Sequence, residues 1–510
     1  MASNSNISTF SDVEWKNFHG NIKRTVKKHI LVKNGNPGSS TLKGMRETAA
    51  ALQSVISDAK KAGVQLRTQG ARWSFSDITA PDKDGWILET DQLGYRFFLK
   101  QVDIEPQSGL VAEELFLAQA GAKISRINEA LETRSRRSAL RTSGASNGQT
   151  IAGALATGVH GSAIDVGAME SQVAGLQLLT ADKNIWLESA RAPVVSTDFA
   201  KKLDSILIRD DLLFDAALVN LGALGVIHAV LLKTTGRYRL NSSLKHLSFD
   251  QLRRTMTTLD FRGSGSPDET RRPYFFQGII DPNVPNKVYA TFRYKEPCPP
   301  DFEPSYDRES GYVTGTDIPA LIGRAIDFFP ALRDLAVSLI AQRELKEIQQ
   351  LPHEFQTPGQ AYSFTTSRSG VASSAFAVPL AQTATALAIM QEAFRDHPGA
   401  PAVHACRFAQ KSPAILGFTR YDPTCIIDLD GIESQTTRDL IELTADRLEA
   451  AGMPFTMHWG KTNFLTKERV RHAYGDGAIE RWKLARMRLL PDQAERAVFS
   501  SPMTSRCGLT

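Results

Sequence analysis

The chain is poor in the residues that would tie it to metal, to disulfide chemistry or to a polyanion. Its 510 residues include only four cysteines, Cys298, Cys406, Cys425 and Cys507. They lie far apart and form no CxxC pair, which speaks against both a disulfide framework and a zinc site, so no metal is expected. An excess of one charge is lacking too. Sixty basic against 55 acidic residues leave +5 spread over the whole length, too dilute to indicate nucleic acid. Two local basic runs, Lys23-Arg24 with Lys27-Lys28 and Arg134 to Arg137, carry no interleaved aromatics and read as solvated faces. No basic stretch near the start runs into an apolar core, so no secretory leader is read. The most apolar window, Ala216 to Leu232, is marginal for a bilayer and is interrupted by Asn220, Gly222, Gly225 and His228. A helix stopped at glycine and followed by a buried strand accounts for it. A cytoplasmic protein with no membrane span, built as two or three domains, is the expectation.

What the chain does have is concentrated in Thr142 to Ser162, TSGASNGQTIAGALATGVHGS. Gly144, Gly148, Gly153, Gly158 and Gly161 let backbone approach a bound group. Thr142, Ser143, Ser146, Thr150, Thr157 and Ser162 add hydroxyls suited to phosphate or a polar ring edge. The short apolar run IAGALA reads as helix. Upstream, residues 1–40 are polar and punctuated by NGNPGSS, and read as an irregular lead-in. Leu42 to Ala62 has helical spacing and stops at Gly63. VQLRTQGARWSFSDI reads as a strand entering a turn rich in hydroxyls, a phosphate-approaching loop. Val173 to Leu179 and IWLES, joined by Thr180 to Asn184, read as a hairpin. Asp211 to Leu221 reads as helix and Val226 to Lys233 as strand. Beyond Gly236 the texture changes to aromatics on short strands, a helical block over Ile318 to Gln350, a helix over Leu380 to Phe394, and strands near Val403 to Phe408 and Thr424 to Asp430. A terminal helix is read around Ile479 to Leu489.

These segments resemble the vanillyl-alcohol-oxidase-type flavoproteins, whose FAD domain is of the PCMH type, and within them the aldonolactone and alditol oxidase branch. RTQGARWSFSDI sits where that family has its first FAD loop, usually Gly-x-Gly-His-Ser. GQTIAGALATGVHGS matches the second loop, LVNLGALGVIHAV the strand that meets the adenine, and RFAQKSPAILG with HWGK the C-terminal parts. The resemblance implies an α+β protein: a two-subdomain FAD-binding domain (41–236), a cap or substrate domain with a mostly antiparallel sheet (237–450), and a returning C-terminal segment (451–510). It implies FAD as cofactor, held by Gly70, Ala71, Arg72, Trp73, Ser74, Phe75, Ser143, Gly144, Asn147, Thr150, Gly153, Thr157, His160, Gly161 and Ile227. No GxGxxG opens a helix after the first strand, so a Rossmann nicotinamide site is not supported.

Several positions depart from the family pattern. Its covalent histidine is replaced by Trp73, and no cysteine lies near either loop, so the flavin is expected to be non-covalent. Arg72 reads either as a pyrophosphate donor or as a surface arginine. The family's Glu-x-Arg pair falls on Ala405-Cys406-Arg407, keeping the arginine and losing the carboxylate. Arg407 would then stand unpaired over the flavin, facing a substrate oxyanion or a reduced flavin anion. Lys461 matches the family lysine near the flavin ring, or else is the exposed end of a packed turn. His160 is expected to brace its loop more than to do chemistry. Gly144 (or Ala145) falls near the position that screens the flavin edge from oxygen, which leans toward an oxidase. The implied reaction moves a hydride from an alcohol-type carbon of a small substrate to flavin, with oxygen reoxidising it. The lost carboxylate leaves two alternatives: a flavin-dependent isomerising or cyclising enzyme, and a degenerate binding protein. Phe275, Phe276, Tyr289 and Phe292 read either as pocket lining or as core.

Overall fold

The computed structural model describes residues 6–35, 41–133, 135–144, 146–282, 286–306, 355–362 and 370–510. The first sheet is made of Ile7–Lys16 (β1), Lys23–Lys33 (β2), Leu66–Gln69 (β3) and Trp86–Gln92 (β4), in the order β1-β2-β4-β3. The irregular lead-in expected over residues 1–40 is thus corrected, because residues 7–33 form a long antiparallel hairpin. Its alternation is hard to see because water reaches both faces of β1 for most of its length. Only Trp15, Val26, Ile30 and Val32 bury an apolar side chain in this hairpin. Helix Thr41–Ala62 (α1) follows, with Met45, Ala49, Leu52, Val55 and Ile56 buried at helical spacing. It stops at Gly63, whose φ of +65° only glycine adopts without strain.

The second sheet contains Arg96–Phe98 (β5) and Leu115–Gln119 (β6). A two-residue strand, Ser138–Ala139 (β7), lies outside it. Val173–Leu179 (β8), Asn184–Glu188 (β9), Ile206–Arg209 (β10) and Val226–Lys233 (β11) complete it in the order β10-β9-β8-β11-β6-β5. β8 and β9 are the expected hairpin, with Leu179 opposite Asn184. The helix read over Asp211 to Leu221 ends at Ala217, and Gly222 and Gly225 turn the chain into β11 with positive φ. Thr235–Gly236 (β12) pairs with β7.

The third sheet has seven strands: Tyr238–Leu247 (β13), Phe275–Ile280 (β14), Val288–Pro297 (β15), Val371–Pro379 (β16), Ala402–Ala409 (β17), Thr424–Ile432 (β18) and Thr456–Met457 (β19). Its order is β13-β15-β14-β17-β18-β16-β19 and every pairing is antiparallel. Helices Phe249–Thr258, Thr383–Asp396 and Gln435–Ala450 bury Leu252, Leu387, Met390 and Leu440 in the core that holds Phe276, Phe292, Cys406, Phe408 and Ile427. Strand alternation sends Phe275, Ala405 and Arg407 to the opposite face. The aromatics therefore divide: Phe276 and Phe292 are core, whereas Phe275 and Tyr289 lie on the face of Arg407. The helical block read over Ile318 to Gln350 lies outside the described residues.

The C-terminal helices pack back on the first two sheets. Phe499 accepts a hydrogen bond from Arg67, Glu495 accepts one from the Ala181 amide, and Arg506 pairs with Asp77 at 3.1 Å. No described helix is long and apolar enough to cross a membrane.

His404 of β17 is fully buried and neither ring nitrogen has a partner among the described residues. Burial pushes its pKa down to about 4, so the folded protein holds it neutral while the unfolded chain protonates near 6.5. The unfolded state then binds more protons between those values, and stability is lost as pH falls through that window. His404→Leu is expected to raise stability by about 1–3 kcal/mol and to flatten this acid limb. Melting curves of parent and variant at pH 7 and pH 5 check both effects.

Candidate functional site

Two loops and one C-terminal turn meet between the sheets. The first loop, Gly70 to Phe75, leaves β3. The second, Thr142 to Thr150, leads into helix Ile151–Ala156. Their contact is too close for larger residues. A Cβ on Gly70 would sit 1.9 Å from the Thr150 hydroxyl oxygen, and one on Gly161 would sit 2.3 Å from that of Thr142. The Trp73 indole lies over Gly148, where a Cβ would come within 2.4 Å of its ring, and the Phe18 ring is 4.9 Å from that of Trp73. Gly70→Ala is expected to separate the loops and to cut bound flavin at least tenfold without unfolding the core. The flavin-to-protein absorbance ratio of the purified variant measures this.

Residues 17–21, which the sequence reading passed over, brace the first loop. Asn17 donates to the Ser74 carbonyl at 2.8 Å, Asn21 donates to the Phe75 carbonyl at 2.9 Å, and His19 stacks on Phe75. Gln172 was likewise missed. Its side chain accepts from the Arg141 amide at 2.7 Å and donates to the Thr142 carbonyl at 3.0 Å, fixing the start of the second loop. Arg72 is exposed and has φ +63°, the left-handed region in which the family pattern has glycine. Ala71 and Ser74 lie beside it, partly buried. Asn147 donates to the Gly359 carbonyl at 3.2 Å, and Thr157 donates to Gly153 at 3.2 Å. Ile227 is buried on β11 beside a bulge, and the neighbouring His228 carbonyl accepts from Ala120. A Cβ on Gly144 would come within 2.9 Å of a Val159 methyl, so a larger residue there would have to displace it. Ala145 lies outside the described residues.

The turn His458-Trp459-Gly460-Lys461 closes this group. The Phe75 amide donates to the Gly460 carbonyl at 2.8 Å and Ser76 donates to the Trp459 carbonyl at 2.7 Å. These bonds join the first loop to the end of the seven-stranded sheet. Lys461 then points at Asp428 of β18, with Nζ 2.5 Å from Oδ1, and Arg407 Nε lies 3.2 Å from Oδ2. Arg407 was expected to be unpaired, and the structure corrects this. Asp428 is directly opposite Ala405 in the β17–β18 register, so a carboxylate missing at 405 is present across the ladder. Burial alone would raise the Asp428 carboxyl, but the charges of Arg407 and Lys461 outweigh it and hold it below the ordinary carboxylate range. One sequence signal marked it: TCIIDLDGI places Asp428 and Asp430 two apart in an apolar strand, where acids are seldom buried without a partner.

His160 and His458 flank the triad with ring centroids 5.5 Å apart. Burial pushes His160 down to about 4, the Lys461 and Arg407 charges adding to the effect and Asp428 opposing it. His458 is held well below its ordinary range by burial, with the neighbouring His160 and the Lys461 charge adding to it, and its Nδ1 accepts from the Gly460 amide. Both rings are neutral near pH 7. His160 Nδ1 lies 3.1 Å from the Gly161 carbonyl. No group of three or more His, Cys, Asp or Glu residues among those described is placed to hold a metal.

The loops fit a dinucleotide flavin. The Ser143 hydroxyl is buried with no partner among the described residues, and the glycines let the backbones of the two loops approach closely, as a backbone cradle for phosphate needs. Residues 46–186 match the FAD binding domain family. By fold and loops the chain is a flavoprotein with a PCMH-type FAD-binding fold, and FAD is its cofactor. Within that class its relatives include aldonolactone enzymes. It is 28% identical to the D-arabinono-1,4-lactone oxidase of Yarrowia lipolytica over 41% of this chain and 34% of that one. It is 26% identical to the L-gulono-1,4-lactone dehydrogenase of Mycobacterium tuberculosis over 90% and 93%. The chain thus spans about a third of the length of the fungal oxidase. A solvent-stable cholesterol oxidase superposes with a TM-score of 0.69 over 99% of this chain and 98% of its own, at 15% identity, and shares the fold.

Proposed function

We propose that the protein oxidises an alcohol carbon of a small organic substrate to a carbonyl, using non-covalent FAD and passing the electrons to oxygen. Two electrons and two protons leave the substrate, and oxygen takes them up as hydrogen peroxide. The observation that carries this reading is the convergence of Arg407, Lys461 and Asp428 beside the HWG turn that abuts both FAD loops. Bound FAD supplies the hydride acceptor. Gly70, Ser143, Thr150 and their neighbours would hold it. Arg407 and Lys461 would orient the reacting oxygen and stabilise negative charge that develops there. Asp428 neutralises them enough to stay buried together and sets their geometry.

Trp73 supports non-covalent attachment, since indole cannot replace the histidyl bond and it is engaged with Gly148 and Phe18. The four cysteines are outside both loops, and three of them are buried. The test is stoichiometry. With a panel of alditols, aldonolactones and hydroxy acids in air, each mole of carbonyl product should appear with one mole of peroxide. Product without peroxide, while an added dye is reduced, would assign a dehydrogenase. A product at the same oxidation level as its substrate, with neither peroxide nor reduced dye, would assign the non-redox alternative.

A further inference from the structure

The site face of the seven-stranded sheet carries a second buried arginine. Arg293 of β15 is 4% exposed, and its Nε and Nη1 have no hydrogen-bond partner among the described residues. No described carboxylate pairs with it. It is clamped between rings, 4.6 Å from Phe275 and 4.9 Å from Tyr362. Register fixes where it points. Arg293 pairs with Phe275, and Gln277 of the same strand pairs with Arg407, so all four side chains share one face. The two arginines are about 12 Å apart at Cα by strand spacing and rise. Burial lowers the Arg293 pKa, the Tyr362 hydroxyl beside it opposes that, and the charge of Arg407 adds to the lowering.

A buried cation without a counter-ion is costly and ordinarily finds one. The neighbourhood shows the same deficit from another direction. Ser242, directly across from Arg293 on β13, is also buried, and its hydroxyl has no partner among the described residues. On the solvent side lie Lys295, two residues on along the same face, and Arg141 at the mouth of the second loop. Lys295 stands 4.3 Å over the Tyr238 ring, and Arg141 lowers its pKa further after burial does. The cations thus run from an exposed mouth to a buried end, and the described acids of this face, Asp428 and Asp430, are already engaged by Lys461.

We propose that Arg293 and Ser242 form a subsite for an anionic oxygen of the substrate, and that the substrate is a hydroxy acid bound through its carboxylate. This rests on reading the Arg407 face as the substrate side of a flavin site. The carboxylate supplies the counter-ion that none of the described residues provides, and Arg407 with Lys461 takes the hydroxyl that is oxidised. The subsite selects against neutral polyols, which would leave the Arg293 charge unpaired.

The experiment first measures flavin content by absorbance, so that loss of the cofactor reading is seen separately. Flavin-loaded protein is then titrated with gluconate, glycolate and benzoate, each against its neutral counterpart sorbitol, ethylene glycol or benzyl alcohol. Binding is followed by thermal shift, which needs no turnover, and by the flavin difference spectrum. At least one carboxylate should bind tenfold or more tightly than its neutral counterpart. Arg293→Gln should erase that preference with flavin content unchanged, Arg293→Lys should keep part of it, and Ser242→Ala should weaken it. Equal binding of acids and neutral compounds, binding of neither, or a preference that survives Arg293→Gln would overturn the proposal. Loss of flavin in Arg293→Gln would also overturn it, by assigning the arginine to the cofactor.

Discussion

Replacing Asp428 by alanine should lower turnover at least a hundredfold and cost about 3–5 kcal/mol of stability, because it strands two cations in a buried site. Asp428 itself is fully buried, and the Arg407 and Lys461 side chains are only 12% and 19% exposed, so water relieves little of that cost. The loss belongs to charge more than to volume. Asp428→Asn keeps the shape and should lose most of the activity all the same. The β17–β18 register offers a rescue, since Cβ atoms of opposed residues lie about 5 Å apart. Ala405→Asp combined with Asp428→Ala returns a carboxylate to the same pair of cations from the facing strand. That double variant should regain a substantial part of kcat, whereas Ala405→Asp alone should not improve on the parent. Parent-like turnover in Asp428→Ala would remove the carboxylate from the account.

The second large effect is structural. Arg67 of β3 is 1% exposed and has no carboxylate partner among the described residues; its guanidinium donates only to backbone carbonyls. Ile78 accepts at 2.7 Å, Leu221 at 2.8 Å, Gly222 at 2.9 Å and Phe499 at 3.0 Å. One side chain therefore joins the first sheet, the turn before β11 and the C-terminal helices. Arg67→Leu should cost about 4 kcal/mol or more, since hydrogen bonds from a charged group contribute about 1.5–3 kcal/mol each and the carbonyls stay buried. Arg67→Lys should rescue little, because a point charge cannot reach four acceptors held by a planar fork. A melting midpoint lowered by many degrees, with early proteolysis of the C-terminal helices, is the expected result. A shift of a degree or two would contradict it.

Segments whose burial follows a period were legible in the sequence. α1 shows its stripe, β8 and β9 flank the four-residue turn Thr180 to Lys183, and the glycines at 222 and 225 mark the entry to β11. The hairpin at residues 7–33 was hidden because a strand wetted on both faces carries no alternation to read. The site was legible where chemistry is local, in the glycines and hydroxyls of the two loops and in HWGK. It was not legible where partners meet across a ladder. Asp428 stands 21 residues beyond Arg407, and only the antiparallel register puts its carboxylate opposite Ala405. The same holds for Asn17 and Asn21 beneath the first loop, and for Arg293, one of many basic residues until its burial among rings is seen.

The most direct test of the central claim is an absorption spectrum of the purified protein before and after acid precipitation. A flavin spectrum that passes wholly into the supernatant is the predicted result, and it would tie both loops and Trp73 to a non-covalent FAD. Flavin retained in the pellet would contradict the attachment assigned through Trp73. A colourless protein that takes up no added FAD would contradict the oxidoreductase itself.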